Sequence, residues 1–249
     1  MGLLRKLVEP PLRALGVEPI PHWELADFAH AYVHAQLLRE VFDLKGIDCV
    51  FDVGAFTGHF GHFLRRKVGF EGTILSFEPQ PGPFRELEEA CRKDGHWHAF
   101  PVALGVRSGE FEMNVMNKPK FSSFLPPSTA TTRSMASENT VESTIRARIE
   151  RLADRYDNLA ATHGFKRPFL KMDTQGLDLE VFQGAAPRLD RFLGLQSEIS
   201  LIQIYVGMPT WLDALAEYRK AGFSLCGFFP VSSDNQLRAV ELDAVLVRG

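Results

Sequence analysis

Four acidic residues of this sequence stand at or near the carboxyl ends of predicted strands, where a carboxylate can do chemistry. Asp52 lies near the end of the apolar run 49–53, Glu78 and Asp173 follow the runs 73–77 and 168–172, and Glu198 lies within the run 192–199. A carboxylate in such a place can accept hydrogen bonds from hydroxyls, bind a cation or remove a proton. Because the carboxyl ends of parallel strands meet at one edge of a sheet, we expect these side chains to share one site.

The stretch C-V-F-D-V-G-A-F-T-G at 49–58 predicts a buried strand that passes through a glycine turn into a helix. The dinucleotide-binding fingerprint needs a second glycine two residues after Gly54, and Phe56 stands there, which disfavours a pyrophosphate. S-adenosylmethionine (SAM) carries no phosphate and offers an α-amino acid, a sulfonium, a ribose diol and an adenine. We therefore predict SAM as the ligand, with contacts from Asp52, Gly54, Ala55, Phe56, Thr57 and Gly58.

A second acidic residue favours the same ligand. Glu78 ends the next predicted strand, twenty residues after Gly58. Its carboxylate can accept two hydrogen bonds from vicinal ribose hydroxyls, and it would repel a 2′-phosphate. The third predicted strand, 96–104, ends in small residues that leave room for a flat adenine ring. Pro79, Ala103 and Leu104 complete the predicted donor site.

Asp173 and Glu198 are the predicted catalytic residues. If the sheet is doubly wound they lie on neighbouring strands, where they could anchor a cation, orient a substrate hydroxyl or act as a general base. We predict that Asp173 is the base, assisted by Glu198, or that the two bind Mg²⁺. Gln175 and Ser122 are weaker candidates for holding the acceptor. The alternative role for Asp173 is to cap the helix that follows it.

One large α/β domain is needed to position these residues. With 249 residues and 45% hydrophobic side chains, the chain can bury the core of such a domain. Helical spacing over 23–44 predicts a helix ahead of the sheet, so we divide the chain into an N-terminal helical extension, 1–45, and a SAM-binding domain, 46–249. We expect a seven-stranded, mostly parallel sheet with an antiparallel last strand and helices on both faces. The polar segment 117–143 is predicted to be a variable loop or a lid.

The composition makes several partners improbable. A formal charge of −3 provides no strong field for nucleic acid, and no apolar run is as long as a membrane span. Three cysteines without C-x-x-C spacing are typical of reduced packing residues, so we predict a soluble, cytoplasmic protein. His30 and His34 have the spacing of two metal ligands, but no third ligand is evident nearby. The N-terminal helices could pack on the domain or on a second copy of the chain.

Several motifs together resemble the FkbM-type methyltransferases. The resemblance implies a class I methyltransferase fold, SAM as methyl donor, and methylation of a hydroxyl, often on a sugar or a natural-product scaffold. Two departures limit it: Phe56 stands where members commonly carry Asn, and the loop 117–143 has only a short piece in a familiar form. The motifs that carry the resemblance are F-D-V-G-A at 51–55, S-F-E-P at 76–79, A-L-G at 103–105, L-K-M-D-T-Q-G at 170–176 and D-A-V-L-V-R at 243–248.

Two other functions remain open at this stage. A nucleotide-linked oxidoreductase could use a similar sheet, but Phe56 opposes it. A non-catalytic SAM-fold subunit that binds a partner enzyme is the alternative from another class. An oxidoreductase would retain a dinucleotide on purification, and a scaffold subunit would show no turnover.

Overall fold

The computed structural model describes residues 25–129 and 140–249 of the chain. Its helices are α1 Leu25–Lys45, α2 His59–Phe63, α3 Pro81–Asp94, α4 Leu152–His163, α5 Asp178–Gly184 and α6 Trp211–Lys220. Its strands are β1 Cys49–Val53, β2 Thr73–Phe77, β3 Trp97–Phe100, β4 Ala103–Gly105, β5 Gly109–Met116, β6 Val141–Arg151, β7 Pro168–Met172, β8 Gly194–Ser200, β9 Phe223–Ser233 and β10 Ala239–Arg248. A π-helical turn, Leu64–Val68, extends α2, and 3₁₀ turns span Pro119–Phe121 and Ala186–Arg191.

The main sheet has seven strands in the order β3-β2-β1-β7-β8-β10-β9. The pairs from β3 to β8 are parallel, and β10 runs antiparallel to both of its neighbours. The mostly parallel class I methyltransferase sheet predicted from the sequence is therefore confirmed. The chain leaves β1 toward β2 on one side and leaves β7 toward β8 on the other. This reversal creates a crevice outside the carboxyl ends of β1 and β7, where ligands bind in open α/β sheets.

The two central strands are buried along their whole length, which explains their apolar sequences. Phe51 of β1 lies in one core with Leu75 and Tyr156, whereas Val50 lies in a second core with Leu38 of α1 and Ile74. Successive residues of a strand point to opposite faces, so Asp52 points to the same face as Val50. That face is covered by α1, the helix predicted at 23–44.

The third predicted strand, 96–104, was wrong as a single strand. The structure divides it into β3, on the edge of the main sheet, and β4, in a separate three-stranded sheet of order β4-β6-β5. Pro101 stands between them and has no N–H to continue a ladder, and the Val102 N–H turns back to the Phe100 carbonyl at 2.9 Å. The separation brings β4 to the edge of the crevice.

The predicted loop or lid, 117–143, lies only partly within the described residues. Its first part is tied to the domain: Ser123 bridges to Asn114, and Pro127 bridges to Tyr205. Its last residues, from Val141 onward, belong to β6.

A glycine of α2 lets the helix lie against the buried Trp97 ring. A Cβ at Gly61 would overlap the Trp97 indole, whose Nε1 donates to Ser76 Oγ at 2.8 Å. Overpacking of this kind costs about 1–3 kcal/mol.

We expect Gly61→Ala to lower the free energy of unfolding by about 1–3 kcal/mol in urea denaturation, because the ring cannot move without breaking its buried hydrogen bond. The same change in a Trp97→Leu background should cost less, since the clash requires the ring. Equal costs in the two backgrounds would contradict this explanation.

Candidate active site

A cavity of about 720 Å³ opens at the carboxyl ends of β1, β2, β7 and β8. Pockets for small ligands fall in the range of about 300–1,000 Å³. The cavity brings together most of the residues singled out from the sequence. Those that line it are Gly54, Ala55, Phe56, Glu78, Pro79, Ala103, Leu104, Ser122, Asp173, Gln175 and Glu198.

The turn after β1 is shaped by close backbone approach. Gly54 has a φ of +76°, and a Cβ on it would collide with the Asp173 backbone at the end of β7. Phe56 adopts a positive φ of 50°, which is uncommon for a residue with a side chain. Its N–H donates to Glu78 Oε2 at 2.8 Å. The carboxylate of the second strand thus holds the turn of the first in an unusual conformation.

Glu78 is buried at the inner end of the cavity. Its Oε1 accepts the Gln80 N–H at 2.8 Å, so each carboxylate oxygen already has one backbone donor. Burial raises the pKa of Glu78 to about 7, against the lowering effect of these hydrogen bonds and of Lys171. Each oxygen retains a second lone pair that can accept a hydroxyl.

Three predicted contact residues lie elsewhere. Thr57 and Gly58 do not line the cavity, and a Cβ at Gly58 would come within 2.9 Å of the Trp97 ring. Asp52 also lies outside the cavity lining and is fully buried. Because β1 continues through Val53, Asp52 points into the sheet face rather than into the crevice. Of the predicted donor residues, these three are therefore not part of the cavity wall, and their contact with a ligand stays a prediction.

Asp52 instead forms a buried charge pair with Lys171 of β7. Asp52 Oδ1 lies 3.0 Å from Lys171 Nζ, and Oδ2 accepts a hydrogen bond from Ser76 Oγ at 2.9 Å. Lys171 Nζ also lies 3.2 Å from the Gly54 carbonyl oxygen and 3.6 Å from Asp173 Oδ2. Burial by itself would lower the pKa of Lys171, but its attraction to Asp52 and Asp173 outweighs that effect and raises it. Sequence reasoning missed Lys171, although a lysine inside the apolar run P-F-L-K-M was a usable signal.

Asp173 and Glu198 come together through the side chain of Gln175. Nε2 of Gln175 donates to Asp173 Oδ1 at 3.1 Å and to Glu198 Oε2 at 3.0 Å. Burial, followed by repulsion from Asp173 and the acidic residues of β10, raises the pKa of Glu198 well above its usual value. The N-cap of helix α5 is Leu177, and no side chain forms a capping hydrogen bond there. The capping role considered for Asp173 is therefore wrong.

The predicted Mg²⁺ site does not fit this arrangement. Magnesium prefers oxygen ligands in octahedral geometry, whereas an amide NH₂ group lies between the two carboxylates. Within the described ranges, 25–129 and 140–249, no group of three or more His, Cys, Asp or Glu could hold a metal ion.

Gln175 is held in turn by the loop above it. The Tyr205 hydroxyl lies 2.8 Å from Gln175 Oε1 and 2.7 Å from the Phe121 carbonyl oxygen. Ser123 Oγ donates to the Gln175 carbonyl at 2.8 Å. The neighbouring Ser122 accepts the Met116 N–H through its Oγ at 3.2 Å, so it stabilises the loop while lining the cavity.

Asp178 anchors the backbone that presents these carboxylates. Its Oδ1 accepts from the N–H and the hydroxyl of Thr174, and its Oδ2 accepts from Ser197 Oγ and the Glu198 N–H. Burial raises the pKa of Asp178 to about 6, against the lowering effect of the Thr174 and Ser197 hydrogen bonds. This side chain therefore fixes the end of β7 to β8.

A second group of polar residues forms the wall of the cavity beneath α1. His34 Nε2 lies 3.0 Å from Gln196 Oε1, and the His34 ring stacks on Phe229 with centroids 4.3 Å apart. Burial lowers the pKa of His34 and, together with repulsion from Asp173, raises that of Asp243 to about 7. The sequence drew attention to His34 only as a metal ligand, and nothing in the local pattern placed it in the cavity.

We expect Lys171→Met to lower the free energy of unfolding by about 3–5 kcal/mol, because it leaves Asp52 charged and buried without a cation. Urea denaturation measures the change, and adding Asp52→Asn should recover most of it. Lys93→Met is the matched control, since Lys93 pairs with Glu89 on the surface and is 74% exposed. A loss no larger than that of the control would contradict the role of the pair.

Comparison with solved structures finds proteins of low sequence identity. A methyltransferase FkbM from Methylobacillus flagellatus KT aligns with a TM-score of 0.47 and 14% identity over 80% of this chain and 43% of its own. The fibrillarin of Aeropyrum pernix, solved with S-adenosyl-L-methionine, aligns with a TM-score of 0.47 and 13% identity over 88% of this chain and 76% of its own. The magnesium protoporphyrin IX methyltransferase of Synechocystis PCC 6803 aligns with a TM-score of 0.47 and 8% identity over 99% of this chain and 96% of its own.

The chain thus spans less than half the length of the Methylobacillus protein. No curated protein matches the sequence significantly. None of the helices that the structure describes is long and apolar enough to cross a membrane.

The comparison with family models gives a direct assignment. The model for the methyltransferase FkbM domain matches residues 52–225. The matched region includes the Gly54 turn, Glu78 and the Asp173–Glu198 pair, which confirms the resemblance drawn from the sequence motifs. The chain belongs to the FkbM methyltransferase domain family.

Proposed function

We propose that the protein is a SAM-dependent O-methyltransferase that acts on a hydroxyl of a small molecule of the sugar or natural-product type. The observation that carries the proposal is one cavity lined both by the predicted donor residues, around Gly54 and Glu78, and by the carboxylates Asp173 and Glu198. Membership of a methyltransferase family supports the transfer of a methyl group.

The inner part of the cavity suits the donor. The turn at 54–56 and Glu78 would hold the amino acid and ribose parts of SAM, which supplies an electrophilic methyl group. Leu104, Met113 and Ile149 give this part an apolar lining beside Ala103, as an adenine ring requires. With Phe56 in its wall the cavity still has a volume of about 720 Å³, which is in the range of small-ligand pockets.

The outer part suits a hydroxyl acceptor. An alcohol becomes a useful nucleophile only as its proton leaves, so a base within hydrogen-bond reach is required. Asp173, whose side chain is 35% exposed, faces the cavity and is the proposed base. The raised pKa of Glu198 favours its protonated form, in which it can donate a hydrogen bond to the acceptor. Holding the acceptor in line with the methyl group supplies much of the rate.

Glu78→Gln should weaken SAM binding by about 1.5–3 kcal/mol, because an amide replaces a charged hydrogen-bond acceptor. A ribose hydroxyl that donates to Glu78 favours the ionised carboxylate, and burial raises the pKa of Glu78 to about 7. In the wild type, affinity should therefore fall as the pH is lowered from 8 to 6, and in the variant this dependence should be weaker. Titration calorimetry measures both, and wild-type affinity in Glu78→Gln would place the ribose elsewhere.

Asp173→Asn should abolish turnover and leave SAM affinity within about tenfold of wild type, because the amide cannot accept the hydroxyl proton. The matched control is Asp213→Asn, a carboxamide change on the exposed first turn of α6. Unchanged turnover in Asp173→Asn would remove this residue from the mechanism.

The proposed activity is tested with methyl-labelled SAM and a panel of neutral glycosides, phenols and aliphatic alcohols, read out by mass spectrometry. Transfer to oxygen in any member supports O-methylation. SAM binding without transfer to any acceptor would favour the alternative, a non-catalytic SAM-fold subunit that binds a partner enzyme. Failure to bind SAM in calorimetry would overturn the proposal.

A further inference from the structure

Tyr205 occupies a position that none of the roles above explains. It lies in the connection between β8 and α6, it is only 1% exposed, and its hydroxyl reaches both Gln175 Oε1 and the Phe121 carbonyl. A buried tyrosine hydroxyl usually has one partner for its one proton. Here there are two partners. Gln175 connects the hydroxyl to Asp173 and Glu198, and the Phe121 carbonyl belongs to the loop over the cavity.

We propose that Tyr205 is a positioning residue that acts through Gln175. It fixes the amide so that its two N–H groups face Asp173 and Glu198. Closure of the loop 119–129 is thereby linked to the arrangement of these two acidic side chains. The proposal rests on the proposed methyl transfer. It reassigns Gln175, predicted from the sequence to hold the acceptor, to the organisation of the two carboxylates.

The orientation of the Gln175 amide follows from hydrogen-bond chemistry. A base accepts hydrogen bonds, so the NH₂ end of the amide must face Asp173, and Oε2 of a protonated Glu198 can accept the second N–H while its Oε1 carries the proton. A flipped amide would place its oxygen against both carboxylates. The Tyr205 hydroxyl lies 2.8 Å from Oε1 on the other side and supports this orientation when its one proton is directed there rather than to the Phe121 carbonyl. The positive φ of Gln175, 54°, shows that its backbone is also held in an uncommon conformation.

The two carboxylates need these donors because they stand in a crowded acidic environment. Glu241 and Asp243 of β10 and Asp178 of α5 repel the charge of Glu198, and Lys171 of β7 and Lys120 of the loop are the cations that line the same cavity. A hydrogen bond donated to an ionised carboxylate lowers its pKa. Loss of the Gln175 bond therefore raises the pKa of Glu198 further, so that its protonated form persists to higher pH.

The loop and the Tyr205 segment close over Gln175 together. The Val206 N–H donates to the Pro126 carbonyl and the Ser128 N–H donates to the Ile204 carbonyl, each at 2.8 Å. Ser123 Oγ bonds the Gln175 carbonyl from the same loop. Lys120, Phe121, Ser122 and Phe124 of the loop line the cavity. Opening of the loop would remove the Ser123 contact from Gln175 and the Phe121 contact from Tyr205 at the same time.

Tyr205→Phe removes only the hydroxyl and tests the proposal. The side-chain NH₂ resonances of Gln175, identified by their loss in Gln175→Leu, should shift and exchange faster with solvent in the variant. With an acceptor from the panel, kcat at pH 7 should fall at least about tenfold, with SAM affinity within about twofold of wild type. The alkaline limb of the pH–rate profile, which reports loss of the proton from Glu198, should move to higher pH.

The matched control is Tyr218→Phe. Tyr218 is fully buried and its hydroxyl lies 2.9 Å from Ser197 Oγ, but it does not line the cavity. Loss of a buried hydroxyl should reduce the stability of both variants, and only Tyr205→Phe should move the Gln175 resonances and the pH profile. Because Tyr205 acts through Gln175, adding Tyr205→Phe to Gln175→Leu should cause little further loss of kcat.

Unchanged Gln175 resonances in Tyr205→Phe would overturn the inference, as would the same pH shift in both tyrosine variants or additive losses in the double variant. The resonances need neither SAM nor an acceptor, so they decide the inference even if the panel yields no turnover. Absence of SAM binding by the wild type would instead overturn the proposed function.

Discussion

The charge pair between Asp52 and Lys171 is the interaction on which the geometry of the site depends. It crosses from β1 to β7, the two strands that border the crevice, and Lys171 Nζ also contacts the Gly54 carbonyl and approaches Asp173. The Lys171 ammonium group thus holds the turn after β1 close to the end of β7. Buried ion pairs add little stability relative to apolar residues of the same volume. The contribution of this pair is to hold a charged crevice in one shape.

The site concentrates carboxylates at the cost of stability. Burial alone raises the pKa of Glu78 to about 7, and burial with repulsion from Asp173 raises that of Asp243 to about 7 and that of Glu198 well above its usual value. Between the ordinary and the raised pKa, the folded state binds more protons than the unfolded chain, so stability falls as the pH rises through that window. Burial disfavours charges of either sign, but the negative charge of the neighbouring carboxylates would favour the positive sulfonium of the proposed donor.

Much of this protein could be predicted from the sequence because the decisive signals are local. The apolar run P-F-L-K-M gives β7 with the predicted bounds. The glycine turn after β1 and the acidic residue after β2 are adjacent to their strands, and parallel strands bring such ends to one edge of a sheet. Gly54, Glu78, Asp173 and Glu198 therefore meet in one cavity, as expected from their positions.

Contacts between distant segments were decided only by the tertiary structure. The sequence placed Asp52 near a strand end. Because β1 continues through Val53, the Asp52 side chain lies on a sheet face and contacts Lys171, 119 residues later. The bridge from Gln175 to Glu198 and the Tyr205 hydroxyl above it depend on how a loop folds back over the sheet. Periodicity shows which face of its own element a residue occupies, but it carries no information about the partner that packing brings to that face. The sequence by itself determined the fold, the residues that meet at one edge of the sheet and the family, whereas the tertiary structure decided which charges are paired and which remain for chemistry.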